Sequence, residues 1–226
     1  MTETASPAIP GLRDRKKARR RDEIVSAARD LFARQGIDAT TMADIAAAAD
    51  VSAPTVFNYF GSKDGILIAM ISEGTQEARE QDRALHWRED ADLASLLTML
   101  FQRVSARTLD IAGKRVWRYA EAAAIRHPDT DLAREYVAVS TALVQVIADF
   151  LSGLQLTLRS GRAVDADYLA RLFHDLWMPC FIQLITDDAQ TLDQHDVILR
   201  DRITPLVELL FTDDCARHPR RADPAA

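Results

Sequence analysis

The stretch TMADIAAAADVSAPTVFNYFGSKD, residues 41–64, decides how this chain folds. A Thr followed three residues later by an acid, Thr41 and Asp44, marks a helix start. The hydroxyl takes an orphan backbone N–H and the carboxylate reaches back to another. That helix reads as short, running to about Ala49. Asp50-Val51 then makes a turn. Ser52 is a second N-cap, with Ala53 and Pro54 in the first helical turn, where the missing N–H of Pro matters little. The helix Ala53 to Tyr59 stops near Gly61. Ser62 caps a fourth helix, Lys63 to about Leu85. Two helices and a tight turn within about twenty residues are the arrangement whose second helix enters the DNA major groove.

Working outward, the preceding stripe Ile24, Ala27, Ala28, Leu31, Phe32 has the i, i+3, i+4 spacing of one buried helix face, and Gly36 ends it. Met42, Ile45, Ala46, Val51, Val56 and Phe60 form the core of the unit. Its outward set is Thr40, Thr41, Ser52, Thr55, Phe57, Asn58, Tyr59 and Lys63. Hydroxyls and helix starts suit phosphate oxygens, while Thr55 and Asn58 can bond base edges. Taken singly, each polar residue reads equally as ordinary surface, and the aromatics as packing. Between Arg13 and Arg21 stand seven basic residues against Asp14 alone. Such a run is often just a solvated helix start, but beside a helix-turn-helix it reads as phosphate contact.

Residues 41–64 resemble the DNA-binding domain of the TetR family of transcriptional regulators. The resemblance rests on Thr41, Ile45, Ala46, Val51, Ser52, Thr55, Phe57, Tyr59, Phe60, Ser62, Lys63 and Asp64. The chain departs from the family at Asp50, where Gly is usual but Asp tolerates a left-handed turn better than most residues, and at Gly65, which replaces a better helix former. The motif covers about 50 of 226 residues. The resemblance implies a homodimer that presents two recognition helices to a palindromic double-stranded operator. It also implies a C-terminal domain holding the dimer and a small-molecule inducer of unknown identity. Movement of the fourth helix on ligand binding would then release DNA. The DNA-binding residues so implied are Arg19, Arg20, Thr40, Thr41, Ser52, Ala53, Thr55, Phe57, Asn58, Tyr59 and Lys63.

The remainder alternates helical stripes with short breaks. Stripes lie at 93–109, 116–124, 132–158, 164–184 and 197–211, with stops at Gly113, His127-Pro128 and Ser160-Gly161. There is no repeat and no strand-like alternation. The expected fold is all-α with about nine helices. It comprises a disordered lead 1–12, a three-helix DNA-binding domain 13–64, a ligand-binding and dimerisation domain 65–212, and a disordered tail 213–226. The stripes 131–159 and 164–186 read as the dimer face, with an intrachain core as the plainer alternative. Phe101, Arg103, Trp117, Arg118, Tyr119 and Glu121 are candidates to line a ligand pocket, although pockets and cores share residue types. His174 reads as structural, and Pro179 predicts a kink.

Composition excludes several classes. Eight Gly and eight Pro are too few for a hairpin-rich or linker-dominated chain. Cys180 and Cys215 make no disulfide framework and fit a reducing compartment. The first residues hold no signal-like apolar run, and the uncharged stretch Tyr136–Ala148 is too short to span a bilayer. No nucleotide-cradling glycine motif, nucleophile elbow or metal-ligand spacing occurs, so no enzyme activity, cofactor or metal is expected. The expectation is a cytoplasmic, ligand-responsive repressor. Its rival is a helical ligand-binding protein or enzyme whose N-terminal unit no longer binds DNA. The net charge of -6 argues against nucleic acid only until the chain is divided. Residues 1–64 hold ten Lys and Arg against nine acids, and the rest eighteen against twenty-five.

Overall fold

The computed structural model describes residues 11–82 and 91–222. The chain divides between Met70 and Ile71 into two compact units. Residues 1–10 of the expected lead 1–12 and the end of the fourth helix beyond Asp82 lie outside the described residues.

In the N-terminal unit, α1 (Leu12–Gln35) starts at Leu12, inside the expected lead. Ile24, Val25, Ala28 and Phe32 give it one buried face. Gly36 ends it at φ 85°, its N–H donating to the Phe32 carbonyl at 3.0 Å. A turn leads to α2 (Met42–Ala48), where Thr41 and Asp44 form the reciprocal capping pair that their spacing predicts. Asp50 then takes φ 52°, and the Val51 N–H closes on the Ala46 carbonyl at 2.9 Å. Ser52 caps α3 (Ala53–Phe60), and α4 runs Lys63–Asp82. Ile45, Ala46, Val56, Ile66 and Leu67 close the core of this unit.

Gly65 does not act as the weak helix former its identity suggests. A Cβ there would stand 2.0 Å from the Phe60 carbonyl oxygen, so the α3–α4 turn is too close for any side chain. Its N–H donates to Ser62 Oγ at 3.1 Å, which makes Ser62 the cap of α4.

The C-terminal unit is built on α5 (Leu93–Arg126), α6 (Asp131–Ser152), α7 (Ala166–Thr186) and α8 (Leu192–Leu210). The helix α5 packs on α6, α7 and α8, and α7 also packs on α6 and α8. Gly113, at φ 68°, breaks α5 where two separate stripes were expected. Across the break, Trp117 Nε1 donates to the Thr108 carbonyl at 2.5 Å. Lys114 Nζ donates to the Asp187 and Gln190 carbonyls at 2.8 and 2.6 Å, tying α5 to the α7–α8 turn. Pro179 lies within α7.

Three sequence expectations are corrected here. The stripe 131–159 is not one helix: α6 ends at Ser152, and β1 (Leu154–Gln155) follows. The tail from 213 is ordered through its described residues. Asp213–Arg217 form α9 and Arg220–Arg221 form β2, antiparallel to β1. Its polar sequence hid partners distant in the chain: Arg159 pairs with Asp213, and the Thr212 N–H donates to the Thr157 carbonyl. The described residues hold nine α-helices because α9 is added while two stripes merge into α5. Finally, α6 extends past the uncharged stretch on both sides. Its 22 residues are long and apolar enough, by length and composition, to cross a membrane. Its apolar surface packs on α5 and α7 and lines the cavity described below.

The core carries one buried polar chain. Trp177 Nε1 donates to Ser105 Oγ at 3.0 Å, and Ser105 Oγ lies 2.9 Å from His195 Nε2. His195 is wholly buried, and its Nδ1 has no hydrogen-bond partner. Burial pushes its pKa down to about 4, against a weaker opposing pull from Asp196.

Two outcomes follow from these positions. His195 is neutral when folded and protonates near its ordinary value of 6.5 when unfolded. The unfolded state therefore binds more protons between about pH 6.5 and 4, and stability falls as pH falls through that window. The loss reaches about 3 kcal/mol and is read from urea midpoints of the full chain at several pH values. A His195→Gln chain should show a shallower dependence; an unchanged one would place the acid sensitivity elsewhere. Gly65→Ala should lower the melting temperature of the N-terminal unit, although propensity alone predicts a gain of about 1 kcal/mol. A rise would refute the close approach.

Candidate nucleic-acid interface and ligand cavity

The N-terminal unit gathers its candidate residues on α1 and α3. A groove of about 880 Å³ is lined by Arg13, Lys16, Lys17, Arg19 and Arg20 of α1, with Asp14 and Glu23, and by Thr55 and Tyr59 of α3. Five cations against two carboxylates make it basic, and it joins the charged run to the short third helix. Every residue from Gly11 to Arg20 is exposed. Arg19 Nε meets Glu23 Oε1 at 2.9 Å, and Arg20 lies 3.8 Å from the same carboxylate. With their side chains 83% and 45% exposed, these pairs yield readily to a phosphate. Arg21 turns elsewhere and lies over the Phe60 ring, 5.3 Å from its centroid.

On α3, Phe57 is 51% exposed and Asn58 is exposed, so neither serves the core. Tyr59 is half-buried, its ring 6.1 Å from that of the half-buried Phe60. Ser52 and Thr55 share a hydroxyl–hydroxyl contact of 2.8 Å at the helix start. Ala53 is half-buried in the first turn. Thr41 is exposed at the start of α2, and its cap pulls the Asp44 carboxyl below its ordinary pKa.

Two expected contacts read differently in three dimensions. Thr40 is fully buried, and its hydroxyl donates to the Gly36 carbonyl at 2.7 Å and accepts from Gln35 Nε2. It stabilises the end of α1 and presents nothing to a partner. Lys63 Nζ donates to the Ile37 carbonyl at 2.7 Å. An ammonium has three N–H groups, so this anchor leaves two to offer outward while fixing where they point.

The second site is a cavity of about 890 Å³ in the C-terminal unit, between α5, α6 and α7, with Thr75 of α4. Trp117, Tyr136, Phe150, Trp177 and Phe181 line it, with Val139, Leu143, Val146 and Met178. The size suits a drug-sized molecule. Trp177 and Phe181 are stacked at 4.8 Å, and Trp117 meets Phe181 edge-on at 6.4 Å. Burial, and then the neighbouring Glu121 carboxylate, push the Tyr136 hydroxyl far above its ordinary pKa. One carboxylate oxygen of Glu121, Oε2, is buried with no hydrogen-bond partner.

Of the six residues expected to line a pocket, Trp117 does so, and Glu121 is not on the lining but accepts a hydrogen bond from Tyr136, which is. Phe101 is wholly buried, stacked 6.0 Å from Trp177. Arg118 is held by the Ile185 carbonyl and Asp188. Arg103 and Tyr119 are half-buried and do not line the cavity. Sequence reasoning, which expects a pocket between 91–127 and the start of 131–159, misses the middle of α6, Val139 to Val146, by giving its apolar residues to a dimer face. The signal available was that this stripe is too wide for a single seam. His174 is buried, its Nε2 2.9 Å from Ser140 Oγ.

Residues 24–70 match the model of the family described as bacterial regulatory proteins, tetR family. The regulator TcmR of Streptomyces glaucescens is 41% identical over 68 residues, 30% of each chain. The transcriptional repressor Rv3405c of Mycobacterium tuberculosis is 39% identical over 87 residues, 38% of this chain and 44% of that one. The chain thus matches less than half the length of either relative. Among solved structures, the TetR-family repressor FadR of Thermus thermophilus, in complex with lauroyl-CoA, covers 91% of this chain and 98% of its own. It has a TM-score of 0.57 at 24% identity, which speaks for the fold.

Proposed function

We propose that this chain, a TetR-family protein by its N-terminal unit, is a ligand-responsive transcriptional repressor. It binds a palindromic operator as a homodimer and leaves it when a small molecule enters the C-terminal cavity. The observation that carries the DNA half is the basic groove joining α1 to α3, beside the exposed Phe57 and Asn58. In this reading Arg19, Arg20, Thr41, Ser52, Ala53, Tyr59 and Lys63 hold phosphates, and Thr55, Phe57 and Asn58 face base edges. The similarity to a named repressor, Rv3405c, supports the sign of regulation.

The ligand half is supported by the roomy aromatic cavity and by a similarly folded repressor that holds lauroyl-CoA. A ligand releases DNA only to the extent that it prefers the conformation DNA does not, and DNA weakens the ligand by the same factor. The partner surface is read from α7 and α8 rather than α6, since α6 gives its middle to the cavity. Tyr168, Val197 and Leu209 stay 63%, 57% and 73% exposed on those two helices. The protein is read as cytoplasmic, with no enzyme activity and no membrane partner.

Fluorescence anisotropy on the intergenic DNA beside its own gene tests this. Specific binding above the non-specific background at moderate salt is expected; none would end the repressor reading. Lys63→Ala and Tyr59→Ala should weaken all sequences alike, and a base-selective loss from Lys63→Ala would overturn its phosphate role. Replacing Arg19 and Arg20 by Ala should flatten the salt slope by about 1 for each phosphate that is no longer neutralised. An unchanged slope would leave the basic run merely solvated.

A further inference from the structure

We propose that the cavity between α5, α6 and α7 takes an organic cation, a quaternary or protonated amine on an apolar body, with Glu121 as its counter-charge. This names the class of molecule bound at the effector site, and rests on reading that cavity as one.

The lining has few free donors. Trp117 gives its indole N–H to the Thr108 carbonyl and Trp177 gives its own to Ser105 Oγ, so both present only ring faces. The hydroxyls of Thr75, Thr108 and Thr141 each donate to the carbonyl one turn back, of Ile71, Val104 and Val137. What they turn toward a ligand is oxygen lone pairs. Gln145 Nε2 is committed to Asp149 Oδ1 at 2.8 Å. Apart from the Arg107 guanidinium, which is itself engaged, the lining presents π faces and acceptors, a set that disfavours an anion and favours a cation.

Charge points the same way. Arg107 and Asp149 put one charge of each sign on the lining. The balance then falls to Glu121, whose carboxylate accepts a hydrogen bond from the lining residue Tyr136 while its Oε2 is buried without a partner. A carboxylate oxygen left bare in a low-dielectric interior is costly, and a cation a few ångströms away relieves it. The Arg118 guanidinium does not do so, being held by the Ile185 carbonyl and Asp188. Tyr136 lines the cavity and donates its hydroxyl to that carboxylate, so it gains electron density from its acidic neighbour and becomes a better cation–π face.

The test compares two molecules of one shape, benzyltrimethylammonium and its neutral carbon analogue neopentylbenzene. Binding to the purified full-length chain is followed without DNA by tryptophan fluorescence, since Trp117 and Trp177 are two of the three tryptophans and both line the cavity. The cation should bind at least about tenfold more tightly than the analogue, a preference within reach of a desolvated cation–π contact beside a buried carboxylate. Glu121→Gln should erase that preference and leave neopentylbenzene unchanged. Equal binding of the two, tighter binding of the neutral one, or a preference that survives Glu121→Gln would overturn the proposal. The wild-type comparison decides alone if the variant does not fold. Operator release is scored separately. A cation that binds but leaves operator occupancy unchanged supports the cavity's chemistry and refutes the inducer reading. Operator binding with no cation preference refutes the cavity's chemistry alone.

Discussion

The N-terminal unit depends on one backbone conformation, the left-handed turn at Asp50. At φ 52° the chain reverses after α2 and closes the Val51 N–H onto the Ala46 carbonyl. That closure ends α2 after seven residues and brings Ser52 to the cap of α3. It also lets Val56 bury itself with Ile45. A non-glycine residue in this region costs about 1 kcal/mol, and Asp is among the side chains that bear it best. The exposed side of α3 follows from that turn, because burying Val56 leaves Phe57 and Asn58 outward.

The C-terminal unit obeys a different constraint: three aromatic side chains, Trp117, Trp177 and Phe181, that are both core and wall. Each is nearly free of solvent on one side and borders the cavity on the other. The two indole N–H groups are satisfied inside the protein, by Thr108 and Ser105. Nothing but ring face is left for a ligand, so the way these indoles are held in the core sets the chemistry of the cavity. The same Ser105 touches His195 on α8, which links the wall of the cavity to a residue whose charge state depends on pH.

Local signals were readable at helix ends, where a capping residue and its partner lie within four positions. Thr41 with Asp44, Ser52 with Thr55 and Gly36 after Phe32 belong to this class, while the left-handed Asp50 was legible through the resemblance to a family that usually has Gly there. Thr40 misled because its hydroxyl bonds a carbonyl four residues back, and nothing in the sequence tells an inward Thr from an outward one. Gly65 misled because its necessity comes from a carbonyl in the preceding helix. The tail misled because Asp213 and Thr212 meet residues more than fifty positions away.

The sequence by itself determined the helical class, the order of the main helices and the helix-turn-helix, since periodicity and capping act over a few residues. It also placed the basic run beside that motif, which total charge concealed. Only the tertiary structure decided which helix faces enclose the cavity, which hydroxyls keep their protons for the backbone, and which carboxylate oxygen lacks a partner. Those outcomes depend on side chains packed together from α5, α6 and α7. Each of those helices carries an apolar stripe that fits equally well in a core, an interface or a binding site, and only packing distinguishes the three.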